Sequence, residues 1–132
     1  MAHLGEREVF AKTVYAEARG ESEEGQRWVA WVIKNRARMN RGYWGGNSIK
    51  GVCLRNGQFK CWNNIGDIEI GEQGVYGRIC QLTNKIYDAP HHNDPTDGAD
   101  HYNNPAKEGY PSWTTNCKVI KTIGNHVFYK GP

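Results

Sequence analysis

A carboxylate stands where a helix would be expected to carry a core residue. Phe10, Thr13, Val14 and Glu17 fall at i, i+3, i+4 and i+7, which on a helix is a single face. Three of the four suit a core-facing stripe, and the fourth bears a charge that burial disfavours. A carboxyl that keeps its proton near neutral pH is what a general acid must be. Two readings stay open at this point: Glu17 is such an acid, or it merely ends the helix and pairs with Arg19, Arg36 or Arg38. Glu21 and Glu24 are the nearest spare carboxylates, and Glu21 also suits a pairing or hinge role.

Metal chemistry has weaker support. His91, His92, His101 and His126, with an aspartate or Cys117, are zinc-ligand types. Adjacent His91 and His92 point differently, however, and no HExxH spacing occurs. Asp94, Asp97 and Asp100 surround Gly98 and could staple a loop around calcium, but they depart from the EF-hand spacing and lack its closing glutamate. The expectation is no metal and no cofactor.

The elements that must position Glu17 are legible as periodic runs. Residues from about Glu6 to Arg19 read as a first helix, with Gly20 as its stop. Ser22 is a suitable N-cap for a second, with Glu23 and Glu24 in its first turn. Trp28, Val29, Val32, Ile33 and Arg36 give that helix its stripe, and a short connection makes the two a hairpin. Ser48 would cap a short turn through Val52. Val75, Ile79, Leu82 and Ile86 mark a long helix from about Glu72 to Tyr87. Ala89 to Ser112, with four prolines and three aspartates, reads as a long polar loop of the kind that carries function. Lys118 to Tyr129 reads as a β-hairpin turning at Gly124-Asn125.

Composition bounds the rest. The 132 residues fit a single domain, 1–132, and 38% hydrophobic content is adequate for one core. A net charge of +3, from 17 basic and 14 acidic residues, is mild, and the bases are too dispersed for a nucleic-acid footprint. No apolar run is long enough to span a membrane, so no membrane insertion is expected. The segment from Met1 to Glu6 lacks the apolar centre of a signal peptide, which points to synthesis in the cytoplasm. Cys53, Cys61, Cys80 and Cys117 contain no CxxC pair. A Cys53–Cys61 disulfide is sterically possible, but reduced thiols fit a cytoplasmic origin better.

Several short motifs now add up. Tyr15-Ala16-Glu17-Ala18-Arg19-Gly20-Glu21, then Glu24-Gly25-Gln26, Val32-Ile33-x-Asn35-Arg36 and Gln58-Phe59-x-Cys61-Trp62 follow in order. Asp97-Gly98-Ala99-x-His101-Tyr102-x-Asn104-Pro105, Trp113 and Ile123-Gly124-x-His126-x-Phe128 complete the set. Together they resemble the spore-cortex-lytic cell-wall hydrolase family across nearly the whole chain. The resemblance implies an α+β, lysozyme-like fold, mostly α-helical with a small C-terminal β-hairpin and a substrate cleft.

It implies, further, an enzyme whose acid is the glutamate of the Ala-Glu-Ala/Ser-Arg-Gly motif, here Glu17. Family members act as lytic transglycosylases that cut the MurNAc–GlcNAc bond of peptidoglycan, although some are labelled amidases. One carboxylic acid suffices for that reaction, whereas ordinary glycosidases need two. Glu21, Gln58, Phe59, Trp62, Tyr102, Asn103, Trp113 and His126 are the candidate substrate-binding residues. Amides suit acetamido and hydroxyl groups, and rings stack on sugar faces. Trp113 is either a groove side or a lid over the core, and Trp28 and Trp31 suit helix packing. The alternatives are a zinc amidase using His101, His126 and Cys117, and a glycan-binding module that does not cut. A compact monomeric hydrolase of this kind resembles a phage endolysin, made in the host cytoplasm and acting on the bacterial wall.

Overall fold

The computed structural model describes residues 3–132. Met1 and Ala2, part of the segment read for a signal peptide, lie outside the described residues. Five helices and three strands follow the order α1 (Glu6–Ala18), α2 (Glu23–Met39), α3 (Ile49–Leu54), α4 (Gln73–Asp88), β1 (His101–Asn103), α5 (Pro105–Glu108), β2 (Lys118–Ile123) and β3 (His126–Lys130). The α+β class with a small β element is as expected. No helix among the described residues is long and apolar enough to cross a membrane.

The central helix, α1, is more enclosed than a one-stripe pattern predicts. Every residue from Val9 to Tyr15 is buried. Phe10 and Val14 reach the core as the periodicity requires. Lys12 is buried on the other side, where its ammonium meets Glu8 (2.7 Å) and Asp67 (2.8 Å). The helix ends at Ala18, and Gly20 is not in the left-handed region. The turn is closed by Glu21 N–H donating to the Ala18 carbonyl at 2.9 Å.

Helix α2 begins as predicted, with Ser22 Oγ accepting from Gly25 N–H at 3.2 Å. Trp28, Val29, Val32 and Ile33 are buried, as is Trp31. Lys34 docks α4 on α2: its ammonium donates to the carbonyls of Ile86 (2.7 Å), Tyr87 (3.1 Å) and Ala89. A cation thus satisfies carbonyls that a helix C-terminus leaves open. Ile79, Leu82 and Ile86 bury the α4 stripe, and Val75 packs against its edge. Ser48 caps α3 by accepting from Gly51 N–H at 2.9 Å.

The expected long loop is not structureless. It holds a 3-10 turn at His91–Asn93, then β1 and α5. The sheet has three antiparallel strands in the order β1-β3-β2, so the expected hairpin gains a third strand on its far edge. The pairing places Tyr102 opposite Phe128, Asn103 opposite Val127, and Ile123 opposite His126. Gly124, at φ 56°, turns the hairpin where a Cβ would come within 2.5 Å of Glu21 Oε1. The left-handed dihedral selects glycine there, and a side chain would also displace the Glu21 carboxylate. All four cysteines are unpaired.

Candidate active site

Glu17 sits half-buried in the last turn of α1, facing the sheet. Tyr102 on β1 donates its hydroxyl to Glu17 Oε1 at 2.5 Å. Burial raises the Tyr102 pKa well above its ordinary value, and the Glu17 carboxylate adds to that, so the phenol remains a neutral donor. Cys61 also lies beside Glu17. Its thiol is pushed up to about 12, first by burial and then by the Glu17 carboxylate, so it too is protonated. Sequence reasoning weighed Cys61 only as a cysteine; its place in the Gln58-Phe59-x-Cys61-Trp62 run was the available signal.

Strand alternation divides the sheet's side chains between two faces. Tyr102, His126 and Phe128 share the face toward the helices: Tyr102 lies 5.1 Å from the His126 ring and 5.8 Å from Phe128, which meets Trp28 at 5.3 Å. His126 is 5% exposed, and its Nδ1 has no hydrogen-bond partner. Burial lowers its pKa, against the upward pull of Glu21 and Glu17.

A cleft of about 440 Å³ opens beside Glu17. Its lining includes Glu21, Asn104, Lys107, Asn125 and His126. Asn104 Oδ1 is a second buried polar atom without a partner. Glu21 is engaged elsewhere: its carboxylate accepts from Asn125 N–H (3.1 Å) and Asn125 Nδ2 (3.0 Å), clasping the hairpin turn to the α1–α2 connection. Partial burial pushes its pKa up, but the two Asn125 bonds, with His126 and Lys107 nearby, outweigh this and hold it below the ordinary carboxylate range. Asn104 follows Tyr102-Asn103 in the run whose side chains suit sugar recognition, whereas Lys107 and Asn125 were not singled out from the sequence as substrate contacts, since such residues are common in any polar loop.

The other candidates are placed differently. Gln58 Nε2 donates to the carbonyls of Trp44 (3.1 Å) and Val52 (2.8 Å), which commits its amide to bracing a loop. Phe59 and Trp62 are buried in the core, and Trp62 Nε1 donates to Thr13 Oγ1 at 2.9 Å. Asn103 is buried on the sheet's opposite face, donating to the Gly109 carbonyl (2.9 Å) and accepting from Tyr129 Oη (2.8 Å). Trp113 covers that same face, its ring 5.2 Å from both His101 and Tyr129. The structure therefore brings Tyr102, His126 and Glu21 to Glu17 and turns Asn103 and Trp113 away.

Among the described residues, no group of three or more His, Cys, Asp or Glu side chains is placed to hold a metal ion. His101 pairs with Asp100 at 2.7 Å and lies on the sheet face opposite His126, so strand alternation separates these two proposed zinc ligands of an amidase. Asp94 accepts from Thr96 N–H (2.7 Å), Thr96 Oγ1 (2.6 Å), Gly98 N–H (3.0 Å) and Asn35 Nδ2 (2.9 Å). Asp100 accepts from Gly131 N–H at 2.8 Å. Hydrogen bonds tie these two aspartates into the loop.

The chain belongs to the Cell Wall Hydrolase family, whose family model matches residues 20–129. It is similar to the spore cortex-lytic enzyme of Bacillus subtilis (strain 168), with 32% identity over 121 residues, or 91% of this chain. It spans 36% of that relative's length. Two solved structures share its fold. One is the catalytic domain of the germination-specific lytic transglycosylase SleB from Bacillus anthracis, with TM-score 0.70 and 28% identity over 98% of this chain and 99% of that one. The other is the catalytic domain of the Bacillus cereus SleB protein, with TM-score 0.71 and 30% identity over 95% of this chain and 89% of that one.

Proposed function

We propose that this protein is a peptidoglycan lytic transglycosylase that cleaves the MurNAc–GlcNAc bond with Glu17 as its one acid and base. The observation that carries this is the division of labour between two carboxylates. Glu17 and Glu21 are the acidic residues lining the cleft. Glu21 is held as a charged acceptor of Asn125, which leaves Glu17 as the carboxyl suited to carry the proton. The second carboxylate of a two-carboxylate mechanism would have to be Glu21, whose two oxygens are bonded to Asn125 at the hairpin turn.

The steps follow from a single acid and base. Tyr102 donates to Glu17 Oε1, so the transferable proton belongs on Oε2. Protonated Glu17 gives this proton to the glycosidic oxygen as the bond to the muramic anomeric carbon breaks. The substrate's acetamido group can hold the resulting positive charge. Glu17, now a carboxylate, takes the proton of the muramic 6-hydroxyl as that oxygen closes on the anomeric carbon. The product is a 1,6-anhydro sugar, no water is consumed, and Glu17 ends protonated as it began. His126 Nδ1 and Asn104 Oδ1 are unfilled positions suited to the substrate's N–H and O–H groups.

Mass spectrometry of digested peptidoglycan tests this. Anhydro-muropeptides are expected; hydrated muramic ends would require a second carboxylate, and freed stem peptides on intact glycan would mean an amidase. The setting we propose is lysis of a bacterial host by a monomer that meets the wall from the cytoplasmic side. Expression should then lyse cells only together with a membrane-opening protein. Lysis by the chain alone would refute that setting.

A further inference from the structure

A second, larger concavity of about 690 Å³ runs between α2 and α4. Arg19 and Glu21 line both it and the Glu17 cleft, so the two adjoin at the α1–α2 turn. Its floor is apolar: Trp31, Leu82 and Ile86 are buried beneath it. Its α4 bank carries Arg78 and Lys85, two turns of helix apart and both exposed. Neither makes an ion pair among the described residues. The cations of the other bank are engaged: Arg27 by Glu23 (3.0 Å) and Glu24 (2.8 Å), and Arg19 by Glu72 (3.3 Å).

We infer that this groove is a subsite for the carboxylate-bearing stem peptide carried by the sugar next to the scissile bond, with Arg78 and Lys85 as its anion contacts. The inference rests on the glycan-cleaving reading above and names the part of the substrate that reading leaves unplaced. The groove meets the Glu17 cleft at the Arg19–Glu21 turn, within reach of the substituents of a sugar bound beside Glu17. The stem leaves the glycan through a short acyl link and carries free carboxylates spaced along an extended backbone. The α2 bank from Glu23 to Trp31 is about 12 Å long at 1.5 Å per residue. An extended peptide rises about 3.3 Å per residue, so about three or four stem residues fit. An apolar floor with unpaired cations on one rim suits such a chain, with backbone and methyl groups below and carboxylates to the side.

The test compares wild type with the Arg78→Glu/Lys85→Glu double variant on exposed positions, where folding is retained. Two measurements are made on the full chain. The first is the ratio of kcat/KM on peptidoglycan with intact stems to that on the same glycan stripped by an amidase, both freed of phosphate-bearing wall polymers. Turning both rim cations into carboxylates should lower this ratio about tenfold. The second is NMR titration with the free peptide L-Ala-γ-D-Glu-L-Lys, which should perturb α2 and α4 amides in wild type and not in the variant. An unchanged ratio with no peptide binding overturns the groove assignment. A charge-reversal effect that appears only when phosphate polymers are left on the wall also overturns it, and assigns the cations to phosphate. Peptide binding at α2 and α4 without glycan cleavage would refute the glycan-cleaving reading and leave the groove assignment standing.

Discussion

The two concavities differ in what they leave unsatisfied. The α2–α4 groove is the larger, and its unpaired groups are solvated cations on a rim. The Glu17 cleft is smaller, and its unpaired groups are buried: His126 Nδ1 and Asn104 Oδ1, beside a carboxylate that meets only neutral donors. A solvated cation costs little to leave alone, whereas a buried acceptor without a partner costs on the order of 1–3 kcal/mol. Volume therefore marks where something can bind, and unmet buried hydrogen-bond demand marks where chemistry is prepared.

The largest test of that contrast is Glu17→Gln. It should lower the rate of anhydro-muropeptide release by about a thousandfold, within the range of general acid–base catalysis, with an unchanged Tm. A variant that still cleaves peptidoglycan at the wild-type rate would show that the reaction takes place outside this cleft. Tyr102→Phe deletes one donor to that carboxylate and should lower kcat by about ten- to a hundredfold, the worth of a hydrogen bond to a charged group. If only KM moves, Tyr102 binds substrate rather than positioning the acid. Asp94→Ala acts at the far end of the groove, between Asn93 and Pro95. Removing an acceptor of four hydrogen bonds should destabilise the fold by about 2 kcal/mol in urea titration, while leaving the cleft's pH–rate profile unaltered.

The smallest effect concerns His126. The unfolded chain binds a proton at about pH 6.5, while burial holds the native imidazole to a lower pKa. Unfolded chains then hold more protons than native ones below that pH, so stability is full above about 6.5 and declines as pH falls toward the native value. His126→Gln should show a flatter Tm between pH 7 and pH 5 than wild type. Parallel curves would mean that His126 is not the group involved.

Much of this was legible beforehand, and the misses share a cause. Ile79, Leu82 and Ile86 were readable because a sustained 3.6-residue period is the mark of a helix with one buried face. Glu17 was readable because a charge interrupts such a period. β1 was not, since three residues carry no periodic signal and its partner strand lies 25 residues onward. That strand then decided which neighbours could serve the cleft. Tyr102 and Asn103 are equally polar-aromatic and polar in sequence, but the pleat sends them to opposite faces. Phe59 and Trp62 sat in a family-like run, and apolar rings suit a core as well as a sugar; burial chose the core. Glu21 read as either spare acid or pairing residue, and Asn125, 104 residues away, supplies its partners.

The sheet order carries a temporal consequence. β3 is the central strand, yet it is the last of the three to leave the ribosome. Until residues 126–130 emerge, β1 and β2 have no edge to pair with, and the phenol that engages the acid is not anchored. A nascent or interrupted chain therefore carries the acid but not its assembled cleft.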